Sequence, residues 1–423
     1  MAFAVREFRA IFAAHVISMT GTILAQLALP VLVYARTGSA LLSALSFTTS
    51  FLPYLAAGTL LSAIVDRVPT RRLLMGCNLL SAIVALGMAA PGAPISVLLL
   101  LSFGLGLISP VFQGGRAATL REALPGDAFI PGRSAIRLVS QGAQIGGFAL
   151  SGLLLTVLSP QALMVANAVS FLLAALILRL GTGERLPRAL REKRAGAGHE
   201  AASQGSVMRD SLRGLAQVLA PPHLRRLLIF TWLVPALAVV PEAVALPYVR
   251  GHHAGGTTLS VGLLLTAIPL GTFVGESLAT TRADADRQIR LIRPATILLF
   301  LPLLGFAPHP GIAVAFGLLV VCGLGYAALP GMDRAVVATA PEGLLPRVLS
   351  IQSAGLMFWQ GVGYAAAGAA ADFLRPAYVI ALAGCCGLLL VATLARRITR
   401  PQPSAPTSET IQAKMTDSSV QTS

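Results

Sequence analysis

Acidic side chains are scarce in this chain: 17 Asp and Glu stand against 32 Lys and Arg over 423 residues, and charged residues of both signs make up only 12%. A soluble chain usually carries about 25% charged residues, so a water-soluble globule is excluded as the main body. Lysine is nearly missing; neither Lys193 nor Lys414, the only two, follows a glycine. The phosphate-cradling G-x-x-x-x-G-K-[ST] loop is therefore absent, which argues against ATP hydrolysis by this chain. The four cysteines, Cys77, Cys322, Cys385 and Cys386, lack C-x-x-C spacing and read as small apolar packing residues, not as a zinc or dithiol centre. His252 and His253 form an isolated pair and no H-E-x-x-H occurs, so an intramembrane enzyme has neither a metal-ligand set nor a catalytic cluster. No metal and no cofactor is expected.

What the chain has is apolar length. Hydrophobic residues make up 55%, and a bilayer crossing takes about 20 residues of helix. Twelve runs qualify, at 8–34, 41–64, 73–90, 95–113, 136–158, 161–180, 224–249, 259–280, 289–307, 311–329, 348–371 and 377–395. All but three of the Lys and Arg residues fall into every second gap between these runs or at the run ends that border those gaps, the exceptions being Arg36, Arg250 and Arg375. Cationic loops stay on the cytoplasmic side, which predicts a multi-pass protein with both termini cytoplasmic. Arginine in place of lysine suggests a GC-rich bacterial genome, and hence the bacterial inner (cell) membrane. Arg6 and Arg9 precede a first run longer than a signal-peptide core and without a clear cleavage site, so it reads as a retained span.

The cationic segments each abut an apolar run and lack interleaved stacking aromatics, which argues against nucleic acid as a partner. Anionic inner-leaflet lipids are the expected partner, met by Arg185, Arg188, Arg191, Lys193 and Arg194, with a plain solvated linker as the alternative. Residues 1–180 are predicted to form one six-helix bundle, 181–222 a basic cytoplasmic linker, 223–396 a second six-helix bundle, and 397–423 a disordered cytoplasmic tail rich in Ser, Thr, Pro and Gln. The fold class is thus an all-α membrane protein of twelve transmembrane helices in two pseudo-symmetric bundles around a central path. Gly58-Thr59 before the first basic loop is echoed by Gly271-Thr272 before the loop that starts at Arg282.

The loop after the second run reads Asp66-Arg67-Val68-Pro69-Thr70-Arg71-Arg72. In placement and residue types it resembles the signature loop between spans two and three of the major facilitator superfamily. Ser62 stands where Gly is usual, and Pro69-Thr70 displaces the basic pair by one. Further stretches resemble the branch of that superfamily that includes macrolide and siderophore exporters: Leu29-Pro30 to Tyr34, then Thr37-Gly38-Ser39-Ala40, and Arg116-Ala117-Ala118-Thr119-Leu120-Arg121-Glu122-Ala123-Leu124-Pro125. The resemblance implies the major facilitator fold and alternating-access secondary transport of a small molecule. The small-residue run from Gln141 to Gly152 is similar to the fifth-span motif of antiporters but lacks its Gly-Pro pair, so close helix packing is an equal reading.

Asp66 is placed to accept charge-assisted bonds from Arg67, from Arg116, or from the start of span eleven near Pro346 and Arg347. With Arg71 and Arg72 these residues form a candidate cytoplasmic gate, the plain alternative being that Asp66 and Arg67 merely end span two. Coupling to a proton gradient needs a titratable group inside the membrane. Glu242 leads the candidates, because Pro241 and Pro247 bracket it and break the helix beside it, about 12 Å from the outer end at 1.5 Å per residue. Glu276, a turn or two from Arg282, is the second, with an ion pair as its plain reading. His15 is the third, with a packed hydrogen-bond donor as its alternative.

Polar side chains within the runs that are candidates to line a path are Gln26, Asn78, Gln141, Gln144, Asn167, Gln352 and Gln360, with Trp232, Phe358, Trp359 and Tyr364 as candidate aromatic faces. So few charges suit a moderately hydrophobic substrate. The expected function is proton-coupled efflux of such a molecule, a drug, antibiotic or siderophore-like natural product. Uptake by a symporter or facilitator is the alternative, and a non-transporting receptor or scaffold the less favoured one.

Overall fold

A computed structural model describes residues 2–53, 68–124, 129–183, 216–251, 256–341 and 344–395, and every regular element among them is helical. The end of span two with Asp66 and Arg67, most of the basic linker, the His252-His253 pair and the tail beyond 395 lie outside the described residues.

The first half runs α1 (Arg6–Thr37), α2 (Ala40–Phe51), α3 (Thr70–Met88), α4 (Ile95–Ala123), α5 (Phe129–Leu154) and α6 (Pro160–Gly181). The second runs α7 (Pro222–Ala238), α8 (Val240–Ala243), α9 (Ala245–Arg250), α10 (Thr258–Arg282), α11 (Ala285–Phe300), α12 (Ile312–Leu324), α13 (Leu329–Thr339), α14 (Leu345–Phe373) and α15 (Pro376–Leu390). Each predicted apolar run carries helix, and nine helical stretches among the described residues are long and apolar enough to cross a membrane. With helical backbone bonded within each segment, this is an all-helical, multi-pass membrane protein.

Departures from the predicted runs have local causes. The fourth helix continues to Ala123, ten residues past the predicted end at Gln113, because helical bonding does not require apolar side chains and stops only near Pro125, whose ring disfavours helix before it. Span seven is three pieces, since Pro241 and Pro247 have no N–H to donate to the preceding turn. Span nine tightens into a 3₁₀ turn at Leu301–Phe306, and span ten is interrupted by another at Gly325–Ala328 before α13.

The turn between α1 and α2 is built by Gly38, whose φ of 67° lets it close α1 with its N–H on the Tyr34 carbonyl at 2.8 Å. Ser39 then caps α2, its Oγ accepting from the Leu42 N–H at 3.2 Å. This turn marks the end of the molecule away from the described termini, called distal below.

Within the first half α1 packs along α6 and α5, and α3 along α6 and α4; within the second, α10 packs along α12 and α7 along α14. The halves meet where α2 packs on α14 and α5 on α10. Counted by spans, the second of one half meets the fifth of the other, in both directions, so exchanging the halves maps one contact onto the other. That reciprocity is the mark of a pseudo-two-fold axis between them.

Glycine sets the α5–α10 approach. A Cβ on Gly152 would fall 2.8 Å from the Gly262 Cα and 2.8 Å from the Thr258 carbonyl oxygen, a distance that backbone cannot yield cheaply. Thr266 adds a bond across the halves, its Oγ1 donating to the Ile145 carbonyl at 3.2 Å. Gly152→Val is therefore expected to cost about 1–3 kcal/mol by overpacking. Gly142→Ala on the same helix, where a Cβ meets nothing within 4 Å, is expected to leave stability unchanged. Thermal unfolding of both variants in neutral detergent checks the contrast; equal melting temperatures would refute close packing at Gly152.

Candidate functional site

The break in span seven presents Glu242 to the second half's interior. Val239 and Val244 interrupt the helix on either side of it. The Glu242 Oε2 accepts a hydrogen bond from the Tyr364 hydroxyl of α14 at 2.7 Å, a charge-assisted contact when the carboxylate is ionised. A cavity of about 20 Å³ lies beside the carboxylate, bounded by Pro241, Tyr248, Leu264, Phe306 and Leu319 among others. That is room for about one water molecule.

Tyr364 is only 1% exposed, and its ring faces the other half. It stacks with Phe47 at a centroid distance of 5.1 Å and with Phe51 at 5.4 Å, the planes 13° and 17° apart. Both phenylalanines belong to α2. One residue thus holds the buried carboxylate by its hydroxyl and the opposite half by its ring, each stacked pair contributing about 0.5–1.5 kcal/mol beyond area burial.

At the distal end of the same α2–α14 contact, Asp372 caps α2 from across the molecule. Its Oδ1 accepts from the Ala40 N–H at 2.7 Å and the Leu41 N–H at 3.4 Å, and its Oδ2 accepts from the Ser39 hydroxyl at 3.0 Å. A carboxylate there meets both the unpaired first-turn donors and the positive end of the helix dipole. Between cap and stack, Gly368 sits against Ala44 and the Ala40 carbonyl, where a side chain would not fit, and beside the stack Thr48 donates to the Gly361 carbonyl at 3.2 Å.

A second, larger cavity of about 380 Å³ lies inside the first half, lined from α1, α2, α3, α4, α5 and α6. It gathers five sequence candidates that the chain keeps far apart: His15, Gln26, Asn78, Arg116 and Asn167. Arg116 Nη1 lies 2.5 Å from His15 Nδ1 and 3.1 Å from Nε2, and Nε2 is 2.9 Å from the Ser140 Oγ. A guanidinium only donates, so Nδ1 is the acceptor and Nε2–H donates to Ser140, whose hydroxyl passes on to the Ile136 carbonyl at 2.9 Å. This neutral tautomer is assigned from the bonding and ties α1, α4 and α5 together.

The remaining candidates stand apart from this chamber. Trp232 and Gln352 brace the second half: the indole N–H donates to the Gln352 carbonyl at 3.1 Å, and the Gln352 amide to Asp333 at 3.0 Å. Gln141 and Gln144 are half-buried on α5, as are Trp359 and Gln360 on α14 and Glu276 on α10. Arg71 donates to the Arg179 carbonyl, joining α3 to α6, and Arg72 is exposed at the start of α3. Asp66 and Arg67 lie outside the described residues. Sequence reasoning missed Asp372, Phe47 and Phe51. Ser39 ahead of an apolar run signals a helix start, but the acid that completes its cap is 333 residues away.

Comparison with known proteins reaches the same architecture. The sequence profile described as Major Facilitator Superfamily matches residues 11–328. No curated protein matches the chain. Among solved structures, the chain is similar in fold to the nucleoside transporter NupG, at 14% identity and a TM-score of 0.71 over 92% of this chain and 99% of that one. A peptide transporter POT in complex with sulfate gives 15% identity and a TM-score of 0.70, over 94% and 95% of the two chains. A bacterial homolog of the human lysosomal transporter Spinster, inward-facing and occupied, gives 12% and 0.61, over 94% and 98%.

If the Asp372 cap holds the distal ends of the halves together, Asp372→Ala will cost about 1 kcal/mol or more. A thiol placed at buried Ala44, with the four native cysteines changed to alanine, will then label faster with a polar maleimide. Unchanged labelling would show that the distal contact stands without the cap.

Proposed function

The chain belongs to the major facilitator superfamily, and from that premise we propose that it is a proton-coupled exporter of a moderately hydrophobic small molecule, with Glu242 as the coupling group. The observation that carries this reading is the 2.7 Å bond from the Tyr364 hydroxyl to the Glu242 carboxylate, joined through the stacked ring to Phe47 and Phe51 of the opposite half. Few titratable groups lie this deep, and a carboxylate in a membrane interior is costly unless it serves a purpose.

The bond's strength depends on a proton. A bond to an ionised acceptor is roughly twice as strong as one between neutral groups, so protonation of Glu242 loosens its hold on Tyr364 and frees α14 to shift as the halves rock. In the proposed cycle Glu242 takes a proton from the distal side and the halves rock to open proximally. Release of that proton restores the charge-assisted bond as substrate is captured. The arrangement described here, with the distal contact made and the bond in place, corresponds to the point after release. Asp66 at the opposite mouth, with Arg67, Arg71, Arg72 and Arg116, is the proposed latch for the alternate state. The direction assigned, efflux, rests on the resemblance to macrolide and siderophore exporters. The placement of both termini in the cytoplasm of a bacterial cell, and the contact of the basic linker with anionic lipid, belong to the same proposal.

Efflux of a panel of lipophilic dyes and antibiotics from energised cells tests it. Wild type is expected to export in a protonophore-sensitive manner, and Glu242→Gln to lose that component. Tyr364→Phe keeps the stacked ring and loses only the bond, so its efflux should fall by about tenfold or more, in line with about 1.5–3 kcal/mol for a bond to a charged group, while the protein folds normally. Efflux indifferent to Glu242→Gln removes Glu242 from the mechanism. Accumulation in energised cells instead of efflux reverses the direction and makes the protein an uptake symporter.

A further inference from the structure

The 380 Å³ cavity inside the first half differs in kind from the interior around it. Asn78 and Asn167 are each 2% exposed and Ser81 is 6% exposed, yet all three line it. Asn78 donates its amide to the Leu74 carbonyl at 2.8 Å, which leaves its side-chain carbonyl unpaired among the described residues. Asn167 receives only a long 3.4 Å contact from Ser170 on its oxygen, so its two N–H donors are unpaired there. Ser81 and the half-buried Gln26 make no side-chain hydrogen bond among the described residues. Four polar groups from α1, α3 and α6 thus converge on one space with unused donors and acceptors. Buried polar groups are otherwise nearly always paired, and each that is not costs about 1–3 kcal/mol.

Other walls add acceptors. The Thr22 and Ser46 hydroxyls donate back to the Ser18 and Leu42 carbonyls of their own helices at 2.8 and 3.4 Å. Their protons are committed and their lone pairs remain for the cavity. Leu29, Phe51, Met88, Leu105 and Phe171 add apolar lining. No acid is among the described lining residues, and the one charged side chain among them is a cation, Arg116, so nothing described there attracts a positive ligand. The volume lies within the range of small-molecule sites, about 300–1,000 Å³.

We infer that this chamber, built within one half and set apart from the Glu242 carboxylate, is a binding site for a small amphipathic molecule with an uncharged amide or hydroxyl head, the head held by Gln26, Asn78, Ser81 and Asn167. This rests on the reading of the protein as a transporter of moderately hydrophobic molecules and names the class: a neutral, hydrogen-bonding amphiphile, not a lipophilic cation.

The test uses one carbon skeleton with four heads: 4-phenylbutanamide, 4-phenylbutanoate, 4-phenylbutylammonium and butylbenzene, titrated calorimetrically into the purified full chain in neutral detergent. The amide is expected to bind most tightly, and Gln26→Met and Ser81→Ala each to weaken it by about fivefold to tenfold, the worth of one neutral hydrogen bond. Both substitutions remove polar atoms that lack protein partners, so the unliganded variants should melt at or above the wild-type temperature. A residue with a purely structural hydrogen-bonding role would lower it. Binding is read on the purified chain and coupling by efflux from cells carrying Glu242→Gln, so a failure of proton coupling leaves this result standing, and the reverse. Tighter binding of the ammonium or of butylbenzene than of the amide would overturn the inference. So would absence of saturable amide binding, which would assign the chamber to water alone, and so would displacement of the amide by added phosphatidylglycerol, which would assign it to lipid.

Discussion

The contact of α2 with α14 is the interaction on which the rest of this molecule depends. It is one of the two extensive contacts between the halves among the described residues, and it carries a cap, a backbone-close packing step and an aromatic stack in succession along one helix pair. Lipid supplies no hydrophobic drive for helices to associate, so such contacts stand on van der Waals fit and on polar bonds. Both are present here: Gly368 and Ala44 let the backbones close, and Asp372 supplies acceptors that α2's first turn lacks. A contact assembled from a few discrete parts has two states, made or broken, and this is what a rocking transporter needs of its interface.

The two halves divide the chemistry unequally. The second half holds the buried carboxylate, in a helix broken by proline, with its nearest bond directed toward the interface. The first half holds the polar chamber, where hydroxyls and amides from six helices converge around the His15–Arg116 pair. The pseudo-two-fold arrangement of helices therefore supports two different interiors. Tyr364, Phe47 and Phe51 form the physical link between them, because α2 contributes both to the chamber wall, through Phe51 and Ser46, and to the stack on Tyr364. In the proposed cycle, a change in proton occupancy at Glu242 bears on a helix that also lines the chamber.

Much of this was legible in residue order. Hydropathy alternating with arginine-rich gaps marked the helices and their order, since apolar length and loop charge are local properties. Pro241 and Pro247 marked the break around Glu242 because proline's missing N–H acts on its own helix. Tyr364 was singled out only as an aromatic face, and its bond to Glu242 was not foreseen. His15 and Arg116 were assigned to different roles, coupling and gate, although they bond each other. In each case the decisive partner lies on another helix, and nothing in either segment encodes the rotation that brings them together.

By itself, then, the sequence determined the class of protein, the helices, the duplicated plan, and the candidate carboxylate, because each follows from the cost of placing polar and charged groups in hydrocarbon. Only the tertiary structure decided which side chains share a space. The cap between Ser39 and Asp372, the ring of Tyr364 on Phe47 and Phe51, and the meeting of Gln26, Asn78, Ser81 and Asn167 arise from helix packing between segments tens to hundreds of residues apart. Their geometry is set by where small residues allow backbones to approach, a property of pairs of helices and not of either one.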